Sequence, residues 1–87
     1  MKYLNKQFIV RQKNNDTTNL CEGIVTEYLG KKDDLDHYKV QITITFIVKG
    51  RQPIKEGEIA VNDNKFYIAT KPGRMMDCSK EVEWLND

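Results

Sequence analysis

The sequence predicts an all-β domain, in the form of a small antiparallel meander, a curled sheet or a small barrel of five to six strands. Three observations predict it: one long segment of alternating apolar and polar residues, a hairpin signal in the second half, and polar turns between the apolar runs. One short terminal helix is the alternative at either end. The 87 residues suffice for one modest core, so residues 1–87 are expected to form a single domain.

The strongest strand signal runs over residues 38–48. Its even positions are apolar or aromatic from Tyr38 to Val48, whereas the odd positions are polar as far as Thr45. Alternation with period two puts one face of a strand on a core and the other in water. The β-branched residues of this segment also favour a strand over a helix. At ~3.3 Å per residue the strand would be about 35 Å long, so we expect it to bend as the sheet curls.

A hairpin is predicted after that strand and the polar segment 50–57. Two apolar runs, 58–61 and 65–70, flank the tripeptide Asn-Asp-Asn at 62–64. Asn and Asp tolerate the left-handed backbone that tight turns need, so the tripeptide is the expected turn. Pro72-Gly73 then predicts a type II turn after the second hairpin strand.

The region before the long strand alternates less cleanly. Residues 20–29 predict a strand with Leu20, Ile24 and Tyr28 on one side. The polar stretch 30–37 that follows predicts a loop.

The N-terminal segment allows two interpretations. Tyr3, Leu4, Phe8 and Arg11 would form one stripe on a helix, but the run of Phe8, Ile9 and Val10 favours a strand. We predict a strand here.

The C-terminal segment 77–85 is similarly open. It would form either a strand with Cys78, Val82 and Trp84 facing inward or a short helix capped by Asp77. A strand is again the prediction.

Composition excludes several classes of protein. The net charge is +1 with 31% charged and 39% hydrophobic residues, so no global charge excess indicates a nucleic-acid or acidic partner. No apolar run approaches the roughly 20 residues of a membrane-spanning helix, and no signal-peptide pattern is present. We therefore expect a cytoplasmic protein with no membrane partner, whose two cysteines, Cys21 and Cys78, are free thiols; a disulfide between them is the alternative.

Residues that could support catalysis are scarce. The chain has one serine, Ser79, and one histidine, His37, which a meander places at or near opposite ends. A nucleophile and its base must lie about 3 Å apart, so this pair predicts no hydrolase. The carboxylates around Asp33-Asp34 lack the Gly and distal Glu of a calcium loop, so a solvated turn is favoured over a metal site. The sequence predicts no enzyme, no catalytic residue, no metal, no cofactor and no small-molecule substrate.

Meander connectivity would polarise the charges. The loops 13–19, 49–57 and 71–77 would share one end, which becomes moderately basic, while the loops 30–37 and 62–65 make the other end weakly acidic. The candidate binding residues at the basic end are Lys49, Arg51, Lys55, Lys71 and Arg74. Trp84 is expected to be a core residue or, if exposed, the best single candidate for a binding hot spot.

The leading functional hypothesis is a non-enzymatic module for protein–protein interaction or assembly. The partner would be another protein or a further copy of the chain, with the basic end of one copy against the acidic end of the next. The Lys-, Asn- and Ile-rich composition resembles that of proteins from AT-rich phages and mobile elements, which suggests a virion component or a modulator of a host protein. The alternative is a small nucleic-acid-binding barrel that uses the basic end, and an enzyme is the third hypothesis.

Overall fold

The computed structural model describes residues 2–14, 17–44, 56–71 and 74–85. It confirms the all-β class: the described residues contain no helix and form one curled, half-barrel sheet of seven antiparallel strands. The count exceeds the five to six strands that the sequence predicted. The strands are β1 (Gln7–Asn14), β2 (Thr17–Lys32), β3 (Leu35–Ile44), β4 (Glu56–Val61), β5 (Phe66–Lys71), β6 (Arg74–Asp77) and β7 (Val82–Trp84).

The order of strands in the sheet is β6-β5-β4-β3-β2-β1-β7. The predicted meander therefore holds from β1 to β6, and β7 then pairs with β1. Because β1 and β5 run in the same direction, their antiparallel partners β7 and β6 do so too. Residues 74–85 thus keep one direction throughout: β6 pairs with β5, and after the turn 78–81 the chain continues as β7 and pairs with β1. We call this turn, with its bonds to β5 and β1, the seam.

The long alternating strand is confirmed in its described part. Tyr38, Val40 and Ile42 are buried, whereas Lys39 and Gln41 between them are exposed. Residues 45–50 of the predicted strand and its turn lie outside the described residues. The inward residues of β3 pack with those of β1, β4 and β5 into one core, in which Phe8, Ile59 and Val61 are also fully buried.

The predicted loop 30–37 is wrong. β2 continues to Lys32 and β3 begins at Leu35, so only Asp33 and Asp34 form the turn, with φ of 55° and 67°. Both residues lie in the left-handed region that two-residue hairpin turns require, and Asp tolerates it better than most residues.

The predicted inward face of β2 also needs correction. Cys21, Gly23 and Val25 are buried there, while Ile24 is only half-buried. Tyr28 packs on the core because a register shift between Val25 and Glu27 exchanges the two faces of the strand before it. A bulge adds one residue and thereby breaks the period-two rule.

The second hairpin is confirmed. β4 and β5 pair from Glu58–Ala69 to Val61–Phe66, and the turn between them is closed by a hydrogen bond from Asn62 N to Lys65 O of 3.0 Å. The Asn62 side chain accepts bonds from the backbone N–H groups of Asn64 and Lys65, both at 2.8 Å, which is how Asn favours such turns. The predicted type II turn at Pro72-Gly73 lies outside the described residues.

Both ends form strands, as predicted. Phe8, Ile9 and Val10 belong to β1. At the C-terminal end Cys78 is buried, and Val82 and Trp84 pack against the core. One turn interrupts that segment, because Cys78 O accepts hydrogen bonds from the N–H groups of Glu81 and Val82, both at 3.1 Å. Among the described residues, no helix is long and apolar enough to cross a membrane.

Candidate binding groove

The predicted basic end is described only in part. Lys49, Arg51 and Lys55 lie outside the described residues, as do Pro72 and Gly73 between β5 and β6. The backbones of Lys71 and Arg74 are paired directly opposite each other, so the structure brings these two predicted residues together.

A groove of about 370 Å³ lies at the other end of the sheet. One wall is the β4–β5 turn, from Val61 to Phe66, and the other contains Val82 and Trp84 of β7. Ser79 of the seam and the N-terminal residues Lys2, Tyr3 and Lys6 complete the lining. The groove therefore opens where the chain leaves β5 and pairs with β1.

The N-terminal segment is held against this end by the backbone of β2. Asn5 N donates to Val25 O at 3.0 Å and Val25 N donates to Lys6 O at 2.9 Å. Asn5 has a φ of 66°, a left-handed conformation that Asn adopts more readily than most residues. This bend carries Tyr3 under the open end of the sheet, where its hydroxyl lies 3.4 Å from Asn62 O.

Aromatic rings form the floor of the groove. Tyr3, which is 7% exposed, stacks on Trp84 with 4.7 Å between ring centroids and contacts Tyr38 edge-on. The half-buried Trp84 also meets Phe8 and Phe66 edge-on, at 5.9 and 5.7 Å. Such arrangements suit the charge distribution of aromatic rings. Trp84, the predicted hot-spot candidate, is thus both part of the core boundary and part of the groove.

Three lysines and one carboxylate line the groove. Lys2 pairs with Asp63 at 2.8 Å, and this hydrogen bond raises the pKa of Lys2 and lowers the pKa of Asp63. The ammonium groups of Lys2 and Lys6 also lie 5.5 and 5.8 Å from the centroid of the Tyr3 ring. Within the described ranges, neither Lys6 nor Lys65 has a carboxylate within ion-pair distance, although the charge of Lys65 contributes to lowering the pKa of Asp77.

The weakly acidic character predicted for the 62–65 turn therefore does not describe this groove. The predicted charge distribution rests on the loops alone, whereas the N-terminal segment supplies Lys2 and Lys6 to the groove from more than fifty residues away. The only indication in the sequence that Lys2 and Lys6 belong to a binding site is that they lie close to Tyr3.

Ser79 has a structural position in the seam. Its hydroxyl donates to Asp77 Oδ1 at 2.6 Å and accepts the backbone N–H of Phe66 at 2.9 Å. The hydrogen bonds from the Ser79 side chain and backbone lower the pKa of Asp77. His37 lies on β3 between Gly30 and Ala60, and it does not line the groove.

Both cysteines are buried free thiols. Burial, with a smaller effect of neighbouring Glu22, raises the pKa of Cys21 to about 11, so this thiol stays protonated at neutral pH. A protonated, buried thiol is a poor nucleophile and a poor metal ligand. Within the described residues, no group of three or more His, Cys, Asp or Glu side chains converges as a metal site would require.

A second depression of about 440 Å³ lies on the outer face of β2, β3 and β4. Glu27 and Glu56 line it around Lys39, whose ammonium is 3.9 Å from Glu56, and the Thr26 hydroxyl bonds to Lys39 O at 3.1 Å. Unlike the first groove, it has no aromatic side chain in its lining.

Comparison of the chain with known protein families, curated proteins and solved structures finds no match.

Proposed function

We propose that this protein is a non-enzymatic protein-interaction module that binds an acidic segment of a partner protein in the groove between β7 and the β4–β5 turn. One observation carries the proposal: the groove combines the half-buried Trp84 with two lysines, Lys6 and Lys65, that form no ion pair within the described ranges. Binding sites on proteins concentrate their energy in a few such aromatic side chains.

The charges of the groove favour an acidic partner. Three lysines and one carboxylate line the groove, and Asp63 already interacts with Lys2. Asp77, outside the lining, is near enough to Lys65 to feel its charge, but it does not cancel the excess of positive charge in the groove. The positive charges of Lys6 and Lys65 would therefore attract a partner's Glu or Asp side chains and repel basic ones. Complementary charge of this kind sets the specificity and rate of association more than its affinity.

The aromatic rings favour a protein segment over single-stranded nucleic acid at this site. Bases stack on the free faces of aromatic side chains. Tyr3 is nearly buried, and one face of Trp84 is covered by Tyr3 while Phe8 and Phe66 meet it edge-on. The side of Trp84 that remains accessible is better suited to contact with an aliphatic or aromatic side chain than to a series of stacked bases.

The groove also contains no activated nucleophile among its described residues. Ser79, its single hydroxyl nucleophile other than Tyr3, is engaged by Asp77 and by the backbone of Phe66. These hydrogen bonds support a binding role for the groove.

Trp84 is the only tryptophan, so its fluorescence tests the proposal directly. The probe is a nine-residue synthetic peptide that alternates Glu with Val, and the matched peptide has Lys in place of Glu. We expect the acidic peptide to shift Trp84 emission saturably and the basic peptide to have no effect. The double variant Lys6→Glu/Lys65→Glu should weaken binding at least tenfold, whereas Lys32→Glu, an exposed residue outside the groove, should leave it unchanged.

Two results contradict the proposal. Either the acidic peptide produces no saturable change up to millimolar concentration, or the double variant binds it as tightly as the original chain. Raised salt should weaken the binding, because exposed charges are screened over about 10 Å at 0.1 M salt.

Nucleic-acid binding at the other end is the second candidate, and the pairing of Lys71 with Arg74 favours it. Fluorescence anisotropy of labelled single- and double-stranded oligonucleotides at low and near-physiological salt tests it. If binding is micromolar or tighter, and Lys71→Ala with Arg74→Ala removes it and flattens its salt dependence, this candidate replaces the first. No binding at low salt eliminates it.

A further inference from the structure

One edge of β7 has no strand beside it in the described part of the chain, since β7 ends the order of the sheet. β7 pairs with β1 through Phe8–Trp84, Ile9–Glu83 and Val10–Val82. Arg11 N donates to Glu81 O at 3.2 Å, and Leu85 N donates to Gln7 O at 2.9 Å. Hydrogen-bonded and non-hydrogen-bonded pairs alternate in an antiparallel ladder, so Glu83 bonds to β1 whereas Val82 and Trp84 do not.

The backbone groups of Val82 and Trp84 consequently point away from β1. Val82 N–H is already bonded to Cys78 O at 3.1 Å. Three groups remain on this edge without a backbone partner among the described residues: the C=O of Val82 and both the N–H and C=O of Trp84. Val82 and Trp84 line the groove opposite Phe66, which belongs to β5, so this edge borders the groove.

Of the features that normally block an exposed edge, β7 has its short length of 3 residues but lacks Pro, Lys and an inward-pointing charge. Natural edge strands are protected by short length, by Lys and other charged side chains, by Pro, by bulges or by inward-pointing charges. β7 has the sequence Val-Glu-Trp, and its one charged side chain, Glu83, is exposed and lies 3.2 Å from Arg11. The ion pair between Glu83 and Arg11 does not cover the side of β7 that borders the groove.

The geometry points to a partner segment that is extended and acidic, and that adds to the free edge of β7 as a further strand. This inference rests on the proposed function and defines the partner's conformation. The three free backbone groups would bind the partner's main chain over about 10 Å, the length of three strand residues. Its carboxylates would face Lys6 and Lys65, which supply the charge complementarity.

Hydrogen exchange of individual amides tests the mode of binding. With the ¹⁵N-labelled full chain and a saturating amount of the Glu-Val peptide, exchange of the Trp84 N–H should slow at least tenfold. The Glu83 N–H, already bonded to β1, serves as the internal control and should change little.

Modified peptides give a second measurement that does not alter the protein. Two versions carry N-methyl groups on alternate backbone nitrogens, one on every Val and the other on every Glu. Alternate N–H groups of a strand face opposite sides, so one version should lose at least tenfold in affinity and the other should retain most of it. Equal binding of the two, with unchanged exchange at Trp84, would overturn the added strand.

The outcomes separate this inference from the proposed function. If the acidic peptide binds and depends on Lys6 and Lys65, but the two methylated versions bind equally and Trp84 exchange is unchanged, the groove binds acidic segments without strand addition. If the acidic peptide does not bind at all, both the proposed function and the added strand are wrong.

Discussion

The β2–β3 hairpin and the seam both join strands of the sheet, but they do so in different ways. The hairpin pairs two long strands that are adjacent in the chain and joined by a two-residue turn. The seam lies between two short strands, β6 of four residues and β7 of three; β6 pairs with the adjacent β5, whereas β7 pairs with β1 from the other end of the chain. The hairpin tolerates three register shifts along its length. The seam depends on a few particular bonds, so single substitutions there should have larger effects.

This contrast also explains where the groove lies. A hairpin leaves little free backbone between its strands, because apart from the bulges its residues pair along the ladder. At the seam the chain stops pairing with β5 and begins to pair with β1. The edge of β7 therefore lies apart from the start of β5, and the groove lies between them. The seam, which depends on a few particular bonds, is therefore also the region where the edge of β7 is accessible.

The largest expected effect is that of Phe8→Ala. Phe8 is fully buried, and its ring lies 5.4 Å from that of Phe66 and 5.9 Å from that of Trp84, so it ties β1 to both sides of the seam. We expect a loss of about 3–5 kcal/mol in the free energy of unfolding. Tyr28→Ala, on the hairpin, should cost about 1–2 kcal/mol because Tyr28 is only half-buried. Urea denaturation followed by circular dichroism measures both, and equal losses would break the comparison.

The second prediction concerns two hydroxyl groups, each of which forms a hydrogen bond to the backbone of a neighbouring strand. Ser79→Ala leaves the partly buried Phe66 N–H without its acceptor and should cost about 1–2 kcal/mol. Thr26→Ala removes the bond to Lys39 O on the exposed face of the hairpin and should change stability by less than about 0.5 kcal/mol. Thermal unfolding compares the two variants, and hydrogen exchange at Phe66 should accelerate in Ser79→Ala only. A loss at Thr26 as large as that at Ser79 would show that the seam is not the more sensitive region.

A smaller effect, of opposite sign, is expected at the hairpin turn. Asp34 has a φ of 67°, which glycine adopts without steric cost. Asp34→Gly should therefore stabilise the protein by about 0.5 kcal/mol, since glycine is the favoured second residue of this kind of turn. The ion pair that it removes, Lys31 with Asp34 at 4.0 Å, is exposed and worth little. Asp34→Val should destabilise, and a thermal melt in which Val is tolerated as well as Gly would contradict this account of the turn.

The sequence predicted the parts of this molecule that local patterns determine. The alternation around Tyr38–Ile42 and the Asn62–Asn64 turn each correspond to the structure because neighbouring residues decide them. The 30–37 loop was wrong although the same property, tolerance of the left-handed backbone, belongs to Asp33 and Asp34 as well. The polarity of this stretch predicts a loop, whereas Lys31 and Lys32 are exposed residues of β2 that still pair with β3 up to the turn.

The groove could not be predicted in the same way. It requires that residues 2–6 lie against the turn 62–66 and that the chain changes partner at Ser79, and no local pattern contains either relation. The bulges in β2 are a similar case, since one inserted residue exchanges the two faces while the amino-acid pattern stays the same. The chemistry of Trp84 makes it a candidate from the sequence, but its neighbours Tyr3, Phe8 and Phe66 follow only from the fold.

The smallest expected effect is the pH dependence at Asp77, and it separates the seam's electrostatics from its packing. Hydrogen bonds from Ser79 lower the pKa of Asp77 below the model-peptide value of about 3.9, so the charged form stabilises the folded state. That contribution is present above about pH 4 and is lost as the pH falls through the lower folded-state pKa. Asp77→Asn removes the titration, so the difference in melting temperature between the original chain and this variant should be constant from pH 5 to 7 and shrink below pH 4. Asp63 titrates in the same direction in both proteins and therefore cancels from the difference. If the difference stays constant down to pH 2.5, the Ser79–Asp77 bond contributes no charge-dependent stability, and only the hydroxyl's bond to Phe66 would distinguish the seam from the hairpin.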